Sequence, residues 1–166
     1  VYGSVIGPNP SNSSENLLYV VGRMYSHELL IKSFSTDGNT KWSKSYDANS
    51  LFFNFINNTT QSFNTSYYKL TGEDIVINSD HHLLIIGYLE NKNSGDTRTF
   101  LCKIDNTGGI IWSKQYPSYA RGYSIALGMS NIVYIAGAKN ENQGFLMMID
   151  AMTGIVLEAK DFGAEV

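Results

Sequence analysis

Three apolar runs, each ending in glycine, set the tightest limit on how this chain folds. They read NLLYVVG at 16–22, HLLIIG at 82–87 and NIVYIAG at 131–137. A polar turn and a second apolar run follow each of them: LLIKSF, FLCKI and FLMMI. Next comes an aspartate, a short turn with glycine and a closing segment: STDGNTKWSKSY, KIDNTGGIIWSKQY and MIDAMTGIVLEAKDF. Ahead of the Gly-ended runs lie YGSVIGPNP, DIVINSD and YSIALGMS. Self-similarity at a spacing of about 50 residues means one supersecondary unit used repeatedly.

Each unit reads as four short strands. The apolar runs have the usual strand length of about five or six residues and are rich in Ile, Val, Leu, Tyr and Phe. Asp, Asn, Gly and Ser bound them, and no stretch sustains a helical period. The Gly-ended runs are almost wholly apolar, which predicts burial on both faces. The closing segments TKWSKSY and IIWSKQY alternate Trp with Ser and Lys, which predicts half-exposed edge strands.

The aspartates Asp37, Asp105 and Asp150 recur in register and are expected to cap their turns through Asx hydrogen bonds. Gly38, Gly109 and Gly154 are expected to supply the positive φ that such turns need. Trp42, Trp112 and Leu157 are then the large residues that cover the neighbouring unit, with Leu157 docking more weakly.

The segments KIDNTGGIIWSK, STDGNTKWSK and IDAMTGIVLEAK resemble the repeats of quinoprotein-like β-propellers, with their Asp-x-x-Thr-Gly-x-x-x-Trp pattern. The longer stretch LLIIGYLENKNSGDTRTFLCKIDNTGGIIWSKQY is similar to bacterial and archaeal surface-protein propeller repeats. The resemblance implies an all-β chain of about three tandem four-stranded antiparallel blades: blade one at 1–46, blade two at 71–116, blade three and the start of another unit at 117–166. Closed propellers have about four to eight blades, so three leave two apolar faces open. Two readings follow: a fragment of a larger propeller, or copies assembled into one ring. The lack of an initiator Met and the ending AEV are read as favouring the fragment.

Residues 47–70 are an insertion, far longer than the PSYARG link of the next junction. Its aromatics include Phe52, Phe53, Phe55, Phe63, Tyr67 and Tyr68. They are read as a small hairpin packed on the side of the propeller, or as a contact surface at Phe52, Phe53 and Phe55 for a partner. Asn-x-Ser/Thr acceptor sites occur at Asn57, Asn58 and Asn64, and a fourth at Asn12. All four fall in expected loops, as glycosylation requires.

The composition narrows the function classes. Net charge is −3, which gives no electrostatic case for nucleic acid. No apolar run approaches the roughly 18 residues of a membrane helix. Charged residues make up only 16% of the chain, their place taken by Asn, Ser, Thr, Gly and Tyr. Cys102 is the only cysteine, so there is no internal disulfide, and its alternating apolar setting predicts a buried core thiol.

The chemistry-like clusters read as turns. SDHHLL at 79–84 and His27 in MYSHELL sit between strands, and Asp96 with Arg98 is expected to form a loop ion pair. Neither a Ser/His/Asp order nor paired catalytic carboxylates emerge, and no metal site or cofactor is expected. Quinone enzymes of the resembled class need adjacent cysteines and metal-binding acids, which this sequence lacks. The expectation is a non-enzymatic extracellular or cell-surface module for structure, adhesion or protein interaction. It would be glycosylated and partnered by further blades, by copies of itself or by glycans. The alternative is a carbohydrate-binding or quinoprotein-like enzyme domain with its active residues on other blades.

Overall fold

The computed structural model describes residues 2–9, 12–52 and 67–163. These residues are all-β apart from one short helix. The first sheet holds β1 (Gly3–Asn9), β2 (Asn12–Arg23), β3 (Leu29–Ser35) and β4 (Thr40–Tyr46). The helix α1 (Ala48–Phe52) follows. The second sheet holds β5 (Tyr68–Ile77), β6 (Leu83–Asn91), β7 (Thr97–Ile104) and β8 (Ile110–Tyr116). The third holds β9 (Arg121–Leu127), β10 (Ile132–Ala138), β11 (Gln143–Asp150) and β12 (Val156–Gly163). Within each sheet the strands run in sequence order and every neighbouring pair is antiparallel. Among the described residues no helix is long and apolar enough to cross a membrane.

The three sheets pack in series. Leu17, Tyr19, Val21, Leu29 and Ile31 of the first sheet meet Leu83, Ile85, Phe100, Cys102 and Ile104 of the second. The alternate residues of the second sheet, Leu84, Ile86 and Leu101, meet Ile125, Val133, Ile135, Phe145, Met147 and Ile149 of the third. Side chains alternate faces along a strand, so the middle sheet is buried on both sides. The outer sheets are not. Leu18 and Tyr134, expected inside, are exposed on the far faces of the first and third sheets.

The first strands of the sheets lie side by side. A Cβ on Gly3 would come 2.6 Å from the Asp74 Cα, an approach that only glycine permits. Between β5 and β9, the Asp74 carboxylate accepts from the Ser124 hydroxyl and the Ile125 amide, each at 3.0 Å.

The insertion begins as a helix rather than a hairpin. Asp47 caps α1 by accepting from the Ser50 amide at 2.7 Å. Leu51 and Phe52 are buried between the first two sheets, and the Leu51 carbonyl accepts from the buried Ser113 hydroxyl. Phe52, expected as a partner contact, instead meets Phe100 edge-on with 5.9 Å between ring centroids. Phe53, Phe55, Phe63, Asn57, Asn58 and Asn64 lie outside the described residues. The second sheet starts earlier than expected: Tyr68, Lys69 and Leu70 belong to β5 and pair with Asn91, Glu90 and Leu89.

Candidate functional site: sheet junctions and open faces

The chemistry of the chain is concentrated where one sheet meets the next. Each junction is built from the last strand of one sheet and the third-to-fourth-strand turn of the following sheet. On β4 the residues Trp42, Lys44 and Tyr46 share the face toward the second sheet. The Tyr46 hydroxyl donates to the Gly108 carbonyl at 2.6 Å, and the Trp42 indole N–H donates to the Asn106 carbonyl at 3.1 Å. The Lys44 stem lies over Gly108, its Cδ 2.6 Å from where a Cβ would stand.

The second junction uses the same residue types, but the buried Trp112 indole N–H has no hydrogen-bond partner among the described residues. On β8, Trp112, Lys114 and Tyr116 face the third sheet. The Tyr116 hydroxyl donates to the Gly154 carbonyl at 2.9 Å, while the Trp112 ring and the Lys114 stem crowd Gly154. Trp112 is 8% exposed. Trp42 is half-buried and packs on Tyr19, with ring centroids 6.0 Å apart. Burial pushes the Tyr46 and Tyr116 phenols well above the ordinary tyrosine range; for Tyr46, Cys102 and Asp105 add to the rise.

The turns are capped by side chains, but not in the expected register. The Asp105 carboxylate accepts from the Thr107 amide and hydroxyl and the Gly109 amide, at 2.7–2.8 Å. Asp150 accepts from the Met152 and Thr153 amides at 2.7 and 3.1 Å. In the first sheet the corresponding position is held by Ser35, whose amide donates to the Asn39 carbonyl as that of Asp105 does to Gly109. Asp37 sits two residues later, at the place of Thr107, and accepts from the Ser35 hydroxyl. The hydroxyl–carboxylate pair is kept with its two ends exchanged.

Hydrogen bonds account for the acidity of these carboxyls. Partial burial pushes Asp105 up, but Thr107, Gly109 and the Lys44 charge outweigh it and hold the group below the usual carboxylate range. The Ser35 hydroxyl lowers Asp37, and the Met152 and Thr153 amides lower Asp150. Positive φ is found at Gly38, Gly108 and Gly154, at 84°, 83° and 68°. Gly109, expected in that role, lacks it and serves through its amide; Gly108 takes the left-handed position.

Leu157 does not occupy the tryptophan position. The Asp150 turn closes on Ile155, one residue later than Asp105 closes on Gly109. The ladder then places Glu158 opposite Met148, as Trp112 is placed opposite Lys103. Phe162 pairs with Gly144, where the other sheets hold Tyr46 and Tyr116. The Trp-x-Lys-x-Tyr face of β4 and β8 therefore reads Glu158, Lys160 and Phe162 on β12. Leu157 falls at the bulge between Val156 and Glu158, has no pairing partner on β11 and is 51% exposed.

Among the described residues, two sheet faces carry exposed apolar side chains. The first sheet presents Ile6 and Leu18, and the third presents Tyr134 and Leu146. The turn glycine Gly38 has nothing within 4 Å of its would-be Cβ, unlike Gly108 and Gly154.

The remaining expected residues have structural surroundings. Asn12 lies in β2 rather than in a loop; it is exposed, and its side-chain oxygen accepts from the Ser14 hydroxyl at 2.7 Å. Cys102 is buried, and burial pushes its thiol up. His81 and His82 lie in the turn before β6, where the His82 amide donates to Asn78 at 2.9 Å. Asp96 accepts from the Ser94 hydroxyl at 2.7 Å rather than pairing with Arg98. Among the described residues, no group of three or more His, Cys, Asp or Glu could hold a metal.

A feature that sequence reasoning missed is a cleft of about 660 Å³ between the ends of the second and third sheets. Asp96, Arg98, Arg121, Tyr123, Asn140 and Glu141 line it. Its walls come from strand ends and turns in three separate stretches of the chain, so no local motif marks it. No protein-family model matches the chain, and no curated protein matches it.

Proposed function

We propose that this chain is a segment of a β-propeller that serves as a non-enzymatic structural and protein-interaction module. Its three sheets act as blades, and the open faces of the first and third take further blades or further copies. One observation supports this most: the middle sheet is enclosed on both sides by a repeated Tyr–carbonyl device, while its two neighbours expose Leu18 and Tyr134 on the corresponding faces. Adjacent exposed apolar side chains on one sheet face, such as Ile6 beside Leu18, support the contact reading.

A cell-surface location with glycan at Asn12, Asn57, Asn58 or Asn64 belongs to the same proposal. It draws on the Asn/Ser/Thr-rich composition and on the exposure of Asn12. The experiment is the intact mass of protein from its native host before and after enzymatic deglycosylation. A mass shift at any of the four sites supports the surface reading; four bare asparagines reject it.

A second reading, carbohydrate binding, is favoured by the cleft, where Tyr123 lies exposed among Asp96, Arg121 and Asn140. Aromatic faces stack on sugar C–H surfaces while fixed polar groups orient the hydroxyls. Binding to a glycan panel that is lost in Tyr123→Ala would favour it over the first.

A further inference from the structure

We propose that the third sheet of one copy seats on the first sheet of a second copy, with β12 lying over the Ser35–Thr40 turn. This rests on the reading of the open faces as contact surfaces and names their occupant. The two internal junctions supply the template. In each, a fourth-strand lysine stem covers the turn glycine of the next sheet, Lys44 over Gly108 and Lys114 over Gly154. The third glycine of the series, Gly38, is uncovered, and the third lysine, Lys160, is exposed on β12 at the corresponding pairing position. One copy therefore holds an unfilled receptor and an unused donor strand at opposite ends.

The faces match in kind. Across the third sheet, Tyr134 pairs with Met148, and Ala136 with Leu146, giving two apolar rows toward the open side. On the first sheet, Leu18 lies between Ile6 and Phe34. Lys160, now 3.5 Å from Glu158, would come over the Ser35–Thr40 turn, whose carboxylate is Asp37 at the place of Thr107. The contact joins unlike faces, so it runs head to tail and builds a ring or a filament.

The contact is a weakened form of the internal ones. Glu158 replaces the docking tryptophan. Phe162 keeps the ring of Tyr46 and Tyr116 but has no hydroxyl to give the Gly38 carbonyl. Restoring that hydroxyl is therefore a gain-of-function test, and Phe162 is 53% exposed, so the change spares the core.

The test is sedimentation velocity over a dilution series, with circular dichroism and thermal melting as a check on folding. Wild type is expected to associate reversibly, and Phe162→Tyr to tighten that association about two- to tenfold, the worth of one hydrogen bond. Leu18→Glu spoils only the first-sheet face, and Leu146→Glu only the third. Each alone is expected to be monomeric, and their mixture to form a 1:1 dimer that grows no further, since one intact junction remains.

Either single variant that still self-associates would show a symmetric contact and overturn the head-to-tail proposal while leaving the contact-surface reading intact. So would a folded mixture that stays monomeric. Wild type and Phe162→Tyr that both stay monomeric at all concentrations would reject a second copy as occupant, while larger particles in native material would still uphold the broader reading.

Discussion

The Tyr46 hydroxyl reaches 62 positions along the chain to donate to the Gly108 carbonyl at 2.6 Å, and both groups are buried. Tyr116 and Gly154 repeat the bond at 2.9 Å across the next junction. A tyrosine places a large apolar ring between two sheets and satisfies a turn carbonyl with its tip. The tie therefore fixes the distance between sheets as well as burying area.

Tyr46→Phe and Tyr116→Phe should each destabilise the fold by about 0.5–1.5 kcal/mol, the net worth of a buried hydrogen bond, with more if the carbonyl stays dry. Trp112→Ala should cost about 3–5 kcal/mol, because the ring fills the space against Gly154. Leu157→Ala should stay within about 0.5 kcal/mol, as an exposed position. Urea unfolding of the chain and its variants measures all four. Equal losses at Trp112 and Leu157 would contradict the one-residue displacement in the third sheet.

Stability should fall at high pH through the buried phenols. Their folded pKa values are raised, so the unfolded chain ionises first. The stability they contribute is complete below the unfolded tyrosine value of about 10 and is lost as pH rises from there toward the folded values. The double variant Tyr46→Phe/Tyr116→Phe should flatten this limb of a stability–pH curve. A curve of unchanged slope would argue against burial of the hydroxyls.

The turn carboxylates should act at the acid end. Asp37, Asp105 and Asp150 are held below their ordinary range. Their contribution is present above about pH 3.9 and is lost as pH falls through the folded values. Asp105→Asn should reduce stability at pH 7 and shrink the acid-induced loss, read by thermal melting between pH 2 and pH 7. A melting profile that matches wild type at every pH would remove Asp105 from the turn.

Cys102 should resist a thiol reagent in the folded chain and react at the rate of unfolding. It is fully buried and its thiol is pushed up by that burial, so little thiolate forms. Rapid stoichiometric labelling under native conditions would contradict its place between the first two sheets.

The four-stranded units were legible in the sequence because Asp, Asn, Gly and Ser punctuate strongly apolar runs. What escaped was register. One extra residue in the Asp150 turn moves Glu158 into the tryptophan position, and no local pattern shows which residue a bulged ladder will set opposite Met148. Asp37 looks equivalent to Asp105 and Asp150 in the sequence, yet Ser35 holds their position and the acid sits two residues on. Residues 68–70 read as part of the insertion because Tyr68 continues its run of aromatics, yet they extend β5 along β6. The helix α1 has only 5 residues, too short to show a period, and nothing local to Phe52 points to its ring partner Phe100, which is remote in sequence. Burial of both strand faces held for β6, since only the middle sheet has two neighbours.

The most direct test of the account is the particle mass of native material by light scattering. The open faces at Leu18 and Tyr134 predict particles larger than the 18.4 kDa chain, with further sheets seated on both ends. A stable, lone particle of about 18 kDa would contradict the reading of those faces as contact surfaces, and with it the proposed function.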